Sequence, residues 1–171
     1  QKIIMFRVYL GLGSNVGDRF GFLSKAIREL EKLLSIKAHS SVYETAPWGV
    51  ENQNKFLNVV LEIDTEFYPL ELLERLQQIE LKLGRKKSSH MEPRTIDIDI
   101  LLYHGWSFEN NILSVPHPEL ERRRFVLEPL SEIAPMAVHP ILGKTMISLL
   151  RHCRDRNLVM RTTYTLKENK I

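Results

Sequence analysis

The sequence predicts an α+β fold: a mostly antiparallel sheet in the element order β-α-β-β-α-β, the ferredoxin-like pattern, extended to a three-layer α/β/α sandwich. Three observations predict it. Apolar residues alternate with period two over 6–13, 56–65 and 96–103, as half-buried strands require. Two intervening segments carry apolar residues three and four apart, as amphipathic helices do. The chain beyond 103 holds two short helix-like pieces, material for the sheet face that both helices of a βαββαβ unit leave open.

Taken in order, Phe6, Val8, Leu10 and Leu12 form one side of the first strand, with Arg7, Tyr9, Gly11 and Gly13 on the other. A turn at 15–18 leads into a helix with the stripe Phe20, Leu23, Ile27, Leu30 and Leu34. A β-like stretch follows at 36–45, then a loop at 46–55. The strand at 56–65 buries Leu57, Val59, Leu61 and Ile63. Pro69 opens the second helix, where its missing N–H costs nothing, and Gly84 closes it. Leu72, Leu73, Leu76, Ile79 and Leu83 are its core face. A charged loop, 85–94, precedes the strand 96–103, and the later helix-like pieces fall at 127–133 and 146–151.

The 171 residues suffice for one domain over 1–171, with a core at about 6–150 and an extension at 151–171. Apolar residues at 43% and charged residues at 26% exclude a disordered or membrane-embedded chain. The single cysteine, Cys153, cannot form an internal disulfide and is expected to be a buried, idle thiol. The opening Lys2-Ile3-Ile4-Met5-Phe6 is too short for a signal core, so a cytoplasmic protein without membrane contact is expected. The net charge of +3 is mild, but basic residues cluster at Arg85-Lys86-Lys87, Arg122-Arg123-Arg124 and 151–156. Such clusters suit a polyanion, either a nucleic acid or a nucleoside triphosphate.

The most informative segment is Thr95-Ile96-Asp97-Ile98-Asp99-Ile100. Aspartate is depleted in strands, yet two stand here in a β-branched run. Alternation puts both on one face, roughly 6.6 Å apart at a rise of ~3.3 Å per residue. Two carboxylates so placed repel each other unless a cation lies between them, and hard oxygen donors suit paired Mg²⁺ ions that also hold substrate phosphates. A bare Asp-x-Asp is usually only a polar strand face; here the neighbours point to a site. Arg94 directly precedes the strand, and the loop before it carries Arg85, Lys86, Lys87 and His90, cations that complement a triphosphate and could form a lid. Glu80 and Gln77 fall beside the apolar stripe of the second helix, either as an internal bridge to Arg85 or as nucleotide contacts. Phe56 and Asn58 share the side of their strand opposite Leu57 and Val59, an aromatic ring beside an amide, suited to a flat heterocycle. The run Gly11-Leu12-Gly13-Ser14-Asn15-Val16-Gly17 lacks the lysine of a phosphate loop and is read as a tight turn whose glycines permit close backbone packing.

An ordered set of motifs resembles the 6-hydroxymethyl-7,8-dihydropterin pyrophosphokinase family over residues 6–150. The pieces are Gly11-Leu12-Gly13-Ser14-Asn15, Tyr43-Glu44-Thr45-Ala46-Pro47-Trp48-Gly49, Phe56-Leu57-Asn58, Ile79-Glu80, Gly84-Arg85, Pro93-Arg94-Thr95-Ile96-Asp97-Ile98-Asp99, Val115-Pro116-His117-Pro118 and Arg123-Arg124-Phe125. The resemblance implies transfer of pyrophosphate from ATP to the pterin hydroxymethyl, with AMP as leaving group. It implies that Asp97 and Asp99 hold two Mg²⁺ ions and that Arg85 and Arg94 assist catalysis. Phe56 and Phe125 would sandwich the pterin, whose edge Thr45, Ala46, Pro47, Trp48 and Asn58 would meet. Gln77, Glu80, Arg85, Lys87, Arg94, Ile100, Ser114, His117, Pro118 and Arg123 would surround the nucleotide. A monomer acting on small molecules, without nucleic acid, is expected. The chain departs from the family at Ala46, at His90-Met91-Glu92, at Ile112 and at Pro118. Two other readings compete: a two-metal nuclease or nucleotidyl transferase using the same aspartates, and a nucleic-acid-binding module with exposed aromatics on an open sheet face.

Overall fold

The computed structural model describes residues 2–46, 54–85 and 95–167. The βαββαβ unit consists of β1 (Phe6–Ser14), α1 (Arg19–Glu31), β2 (Ser35–His39), β3 (Tyr43–Thr45), β4 (Phe56–Thr65), α2 (Pro69–Lys82) and β5 (Asp97–Tyr103). β1 lies between β4 and β5, antiparallel to both, and β2 and β3 pair along the far edge of β4. With β2 and β3 taken as one interrupted strand, this is the expected ferredoxin-like topology.

The interruption corrects the single stretch expected at 36–45, and it has a local cause. Ser40 donates its N–H to the Val60 carbonyl, while its hydroxyl, in place of a strand carbonyl, accepts the Val60 N–H, both at 2.9 Å. The backbone there turns aside without orphaning a buried donor.

Asp18 caps α1 by accepting the Gly21 N–H at 3.0 Å, and Gly84 takes the left-handed φ of +92° that ends α2. Leu23, Ala26 and Leu30 of α1 and Leu72, Leu76 and Ile79 of α2 pack on Phe6, Val8, Leu10, Leu12, Leu57, Val59, Leu61 and Ile63, the stripes expected from periodicity. In β5 the alternation holds from Asp97 to Ile100 and then slips. The register with β1 shifts between Tyr9 and Leu10, so Leu101 and Leu102 both join the opposite core while Tyr103 returns to the helix side.

Beyond β5 come a small ribbon, β6 (Phe108–Glu109) with β7 (Ser114–Val115), then a 3₁₀ turn at Leu120–Arg122, α3 (Arg124–Ile133) and α4 (Met146–Arg151). Val126, Leu127, Leu130, Met146 and Leu149 pack with Val60, Leu101 and Leu102 on the second sheet face, forming the third layer. α3 starts earlier than the helix-like piece expected at 127–133, at Arg124. Cys153 is buried in this core. The face that a nucleic-acid-binding module would leave open is thus covered in part by α3 and α4. Residues of the C-terminal segment form β8 (Val159–Arg161), antiparallel to β3 at the sheet edge.

Glu132 fastens α3 to that edge. Its carboxylate accepts the Ser41 N–H at 3.0 Å, the Ser41 hydroxyl at 2.7 Å and the Tyr43 hydroxyl at 2.6 Å, with Arg161 3.7 Å away. Burial opposes the charge, but these partners outweigh it and hold the Glu132 pKa below the usual glutamate value. A depressed carboxylate pKa stabilises the fold above the unfolded-state pKa, and that contribution is lost as pH falls through the folded value. Glu132→Ala is expected to lower unfolding free energy by roughly 2 kcal/mol at pH 7, as for lost charged hydrogen bonds. In urea titrations the gap between wild type and Glu132→Gln should close as pH drops below about 4.5.

Candidate active site

The register of β1 builds the site. Gly13 lies opposite Asp97 on one neighbouring strand and Asn58 on the other; Gly11 lies opposite Asp99 and Val60. Cross-strand partners share a face. The two carboxylates and the amide therefore stand on the same side of the sheet with bare glycine backbone between them, two strand spacings or roughly 10 Å from end to end. A Cβ at Gly13 would come within 2.9 Å of Asn58 Oδ1 and 3.4 Å of the Phe56 ring. At Gly11 it would press on Leu101 at 3.4 Å. Both glycines belong to the strand, as the alternation over 6–13 predicts, so only the far end of the run read as a tight turn bends, at Gly17 with φ +63°. Phe56 and Asn58 line one side of the resulting cleft, Asp97 and Asp99 the other, and Phe125 with Val126 of α3 overhangs it.

At the amide end, Asn58 Nδ2 donates to Thr45 Oγ1 at 2.6 Å, and both residues are buried, at 8% and 2% exposure. The bond fixes the amide orientation, with Oδ1 above Gly13. Thr45 pairs with Phe56 across β3 and β4, so the ring and the Thr45–Asn58 pair form one unit.

At the acid end, Arg85 Nη1 lies 2.9 Å from Asp97 Oδ1 and 2.5 Å from Glu80 Oε2. Glu80 is 6% exposed, and its second oxygen accepts the Ile98 N–H at 2.7 Å. Burial raises its pKa above the ordinary value, more than the Ile98 N–H and Arg85 lower it. The internal-bridge reading of Glu80 is therefore realised: it ties the end of α2 to β5 and holds Arg85 against Asp97. Gln77, expected on the same buried edge, is exposed, because its position turns toward solvent one helical step before Ile79 and Glu80.

His117 Nε2 stands 3.9 Å from Asp99 Oδ2, beyond hydrogen-bond reach. Its Nδ1 accepts the Glu119 N–H at 3.1 Å, which leaves the proton on Nε2, facing the carboxylate. Burial, then Arg123, pushes its pKa down to about 4 against the opposing pull of Asp97, Glu119 and Glu121. At neutral pH it is an uncharged donor, and its contact with Asp99 is not an ion pair. Arg123 lies 5.7 Å from the Phe125 ring centroid, so a cation stands beside the aromatic that overhangs the cleft from the start of α3.

Other expected residues are placed less directly. The Ile100 side chain lies in the helix-side core, across the sheet from the aspartates, so only its backbone can face a ligand on their side. Ser114 is half-buried in β7, while Pro118 and Ala46 are exposed. Pro47, Trp48, Lys87 and Arg94, and with them all but Arg85 of the 85–94 loop expected as a lid, lie outside the described residues. The sequence reading missed the contacts that hold the chain at Glu44 and at Asn54-Lys55. Arg19 pairs with Glu44 at 2.9 Å and donates to the Lys55 carbonyl at 2.9 Å, and Asn15 donates to the Asn54 carbonyl at 3.4 Å. An arginine in the first turn of a helix, where the dipole disfavours it, was the available signal.

Among the described residues no group of three or more His, Cys, Asp or Glu side chains converges as a complete metal cage. Mg²⁺ takes only one or two carboxylates and completes its shell with water and phosphate, so the Asp97–Asp99 pair fits that ion. No helix among the described residues is long and apolar enough to cross a membrane.

The chain is similar to known proteins. The chain is 50% identical over 142 residues to a 2-amino-4-hydroxy-6-hydroxymethyldihydropteridine pyrophosphokinase of Aquifex aeolicus, covering 83% of this chain and 89% of that protein. It is 47% identical over 127 residues to the protein of the same name from Bacillus subtilis, covering 73% and 76%. The fold matches the crystal structure of wild-type Plasmodium falciparum HPPK-DHPS with pteroate at a TM-score of 0.74 and 18% identity; the match covers 89% of this chain but 43% of that longer one. Residues 9–135 match the model of one family, and the chain belongs to it: the 7,8-dihydro-6-hydroxymethylpterin-pyrophosphokinase (HPPK) family.

Proposed function

We propose that the glycine-floored cleft binds 6-hydroxymethyl-7,8-dihydropterin with its ring toward Asn58 and its hydroxymethyl toward Asp97 and Asp99, where the pyrophosphoryl group of ATP is transferred to it. The products are AMP and the pterin diphosphate, and the chain is an ATP-dependent pyrophosphokinase of folate biosynthesis. The observation that supports this placement is the row Asp97–Gly13–Asn58, which sets an acid at one end of an empty floor and a hydrogen-bonding amide at the other.

Each residue has a task that its surroundings allow. Phe56 and Phe125 stack on the two faces of the pterin, and Asn58, held by Thr45, reads its edge. Arg85 and Arg94 neutralise charge on the transferring group, Arg85 from a position already fixed by Glu80. His117 as a neutral donor and Arg123 as a cation contact the nucleotide. Asp97 and Asp99 would hold two Mg²⁺ ions, which when bound supply electrostatic stabilisation of the phosphate oxygens. Positioning and charge neutralisation suffice for phosphoryl transfer, and no covalent nucleophile is required. In this reading the enzyme is a monomer with a single catalytic domain, working in the cytoplasm on small molecules.

Asp97→Ala and Asp99→Ala are each expected to lower turnover by at least about a hundredfold, the scale of losing a preorganised electrostatic group, with unchanged circular dichroism. Near-normal turnover in either variant would refute the metal-binding role. Mixing the enzyme with Mg-ATP and the pterin should release AMP; release of pyrophosphate would instead identify a nucleotidyl transferase. Asn58→Ala should weaken pterin binding more than nucleotide binding in calorimetric titrations, and the reverse order rejects the orientation. Removing Arg85 alone leaves Glu80 buried without its cation, a change expected to cost roughly 3 kcal/mol. Denaturant unfolding of the double variant Glu80→Gln/Arg85→Ala should show a loss well below the sum of the two single ones.

A further inference from the structure

α3 has no cap of its own: Arg123 occupies the cap position without a side-chain cap bond. Its first helical N–H, on Arg124, donates instead to Asp155 Oδ2 at 3.0 Å, from a segment beyond α4. The Arg124 side chain grips the same segment, donating from Nε to the Asp155 carbonyl at 2.9 Å and from Nη2 to the Cys153 carbonyl at 3.5 Å, while Nη1 reaches Glu128 at 3.3 Å. The other Asp155 oxygen accepts the Asn157 N–H at 2.9 Å, and the chain then runs into β8, where Val159 pairs with Thr45. A carboxylate at a helix N-terminus satisfies an orphan donor and complements the dipole, so this long-range cap is favourable.

We infer that Asp155 is a positioning residue for both substrates: by capping α3 at Arg124 it fixes the two flanking residues, Arg123 toward the nucleotide and Phe125 over the pterin. This rests on the roles proposed above for those two. The middle of α3 is held independently, since Val126, Leu127 and Leu130 lie in the second core. Loosening the first turn therefore leaves the helix folded while Arg123 and Phe125 lose their register. The same aspartate links that turn to the strand beside Thr45, so the overhang and the amide side of the pterin cleft share one anchor.

The test is calorimetric titration of the full chain with 6-hydroxymethylpterin and with the magnesium complex of a non-hydrolysable ATP analogue. Asp155→Ala should bind each ligand about tenfold more weakly, the size of a lost cap, at an undiminished stoichiometry. A merely structural role would reduce the fraction of chains that bind and leave Kd alone. Asp155→Asn, which keeps an acceptor oxygen, should stay within about twofold of wild type. Affinities within about twofold for Asp155→Ala, or equal losses in the Asn and Ala variants, overturn the inference. If Asp155→Ala does not fold, Asp155→Glu, whose longer side chain keeps the charge but displaces the carboxylate from the Arg124 N–H, is read by the same criterion for Kd against stoichiometry. Phe125→Ala separates the two claims. Unchanged pterin affinity in that variant defeats the site assignment itself, whereas a loss there beside normal Asp155→Ala affinity defeats only the role of Asp155.

Discussion

The cleft exists because β1 presents bare backbone at Gly11 and Gly13 between two strands that carry functional groups. In an antiparallel sheet neighbouring residues of one row stand about 5 Å apart, and any side chain on the middle strand would fill the space above it. With a Cβ at residue 13 only 2.9 Å from the Asn58 amide oxygen, the amide could not keep both its bond to Thr45 and its place over the floor. The two glycines cost the strand packing and β propensity. The paired neighbours on both sides offset that loss, since β1 is an inner strand of the unit, hydrogen-bonded to β4 and to β5.

Around this floor the charges are arranged before any ligand enters. Asp97 shares Arg85 with Glu80, and Glu80 in turn holds the backbone of Ile98, so the acid strand and the end of α2 move as one body. Burying Glu80 is tolerable only because its two oxygens have a backbone donor and a guanidinium. His117, kept neutral by burial and by Arg123, adds a donor near Asp99 without adding a second positive charge. The result is a site that carries its negative groups on one strand and its positive and neutral donors on the walls.

Much of this was legible in the chain, for identifiable reasons. The helices and β4 announced themselves because their buried faces repeat at a fixed period, and Pro69 and Gly84 marked the ends of α2. The aspartates stood out because acids are rare in a run such as Ile96–Ile100, and Asn58 for a similar cause. What escaped notice depends on partners distant in sequence. Nothing near Ser40 signals that its hydroxyl replaces a strand carbonyl for Val60. The early start of α3 comes from Asp155, and the slip at Leu101 comes from pairing with β1. Gln77 and Glu80 look alike in the sequence, yet one faces solvent and the other the core, because a helical face narrows at its edge. Gly11 and Gly13 fell on the first strand by alternation, but only the register with β5 shows them in line with the acids.

The same bare floor bears on how the enzyme could respond to a competitive drug. A compound lying flat on Gly11 and Gly13 rests on main-chain atoms, which substitution cannot repaint. The mutation that most directly blocks it, any larger residue at position 13, also collides with the Asn58 amide. Escape would have to arise at the walls, leaving the strip between acids and amide as the part of the pocket least free to evolve.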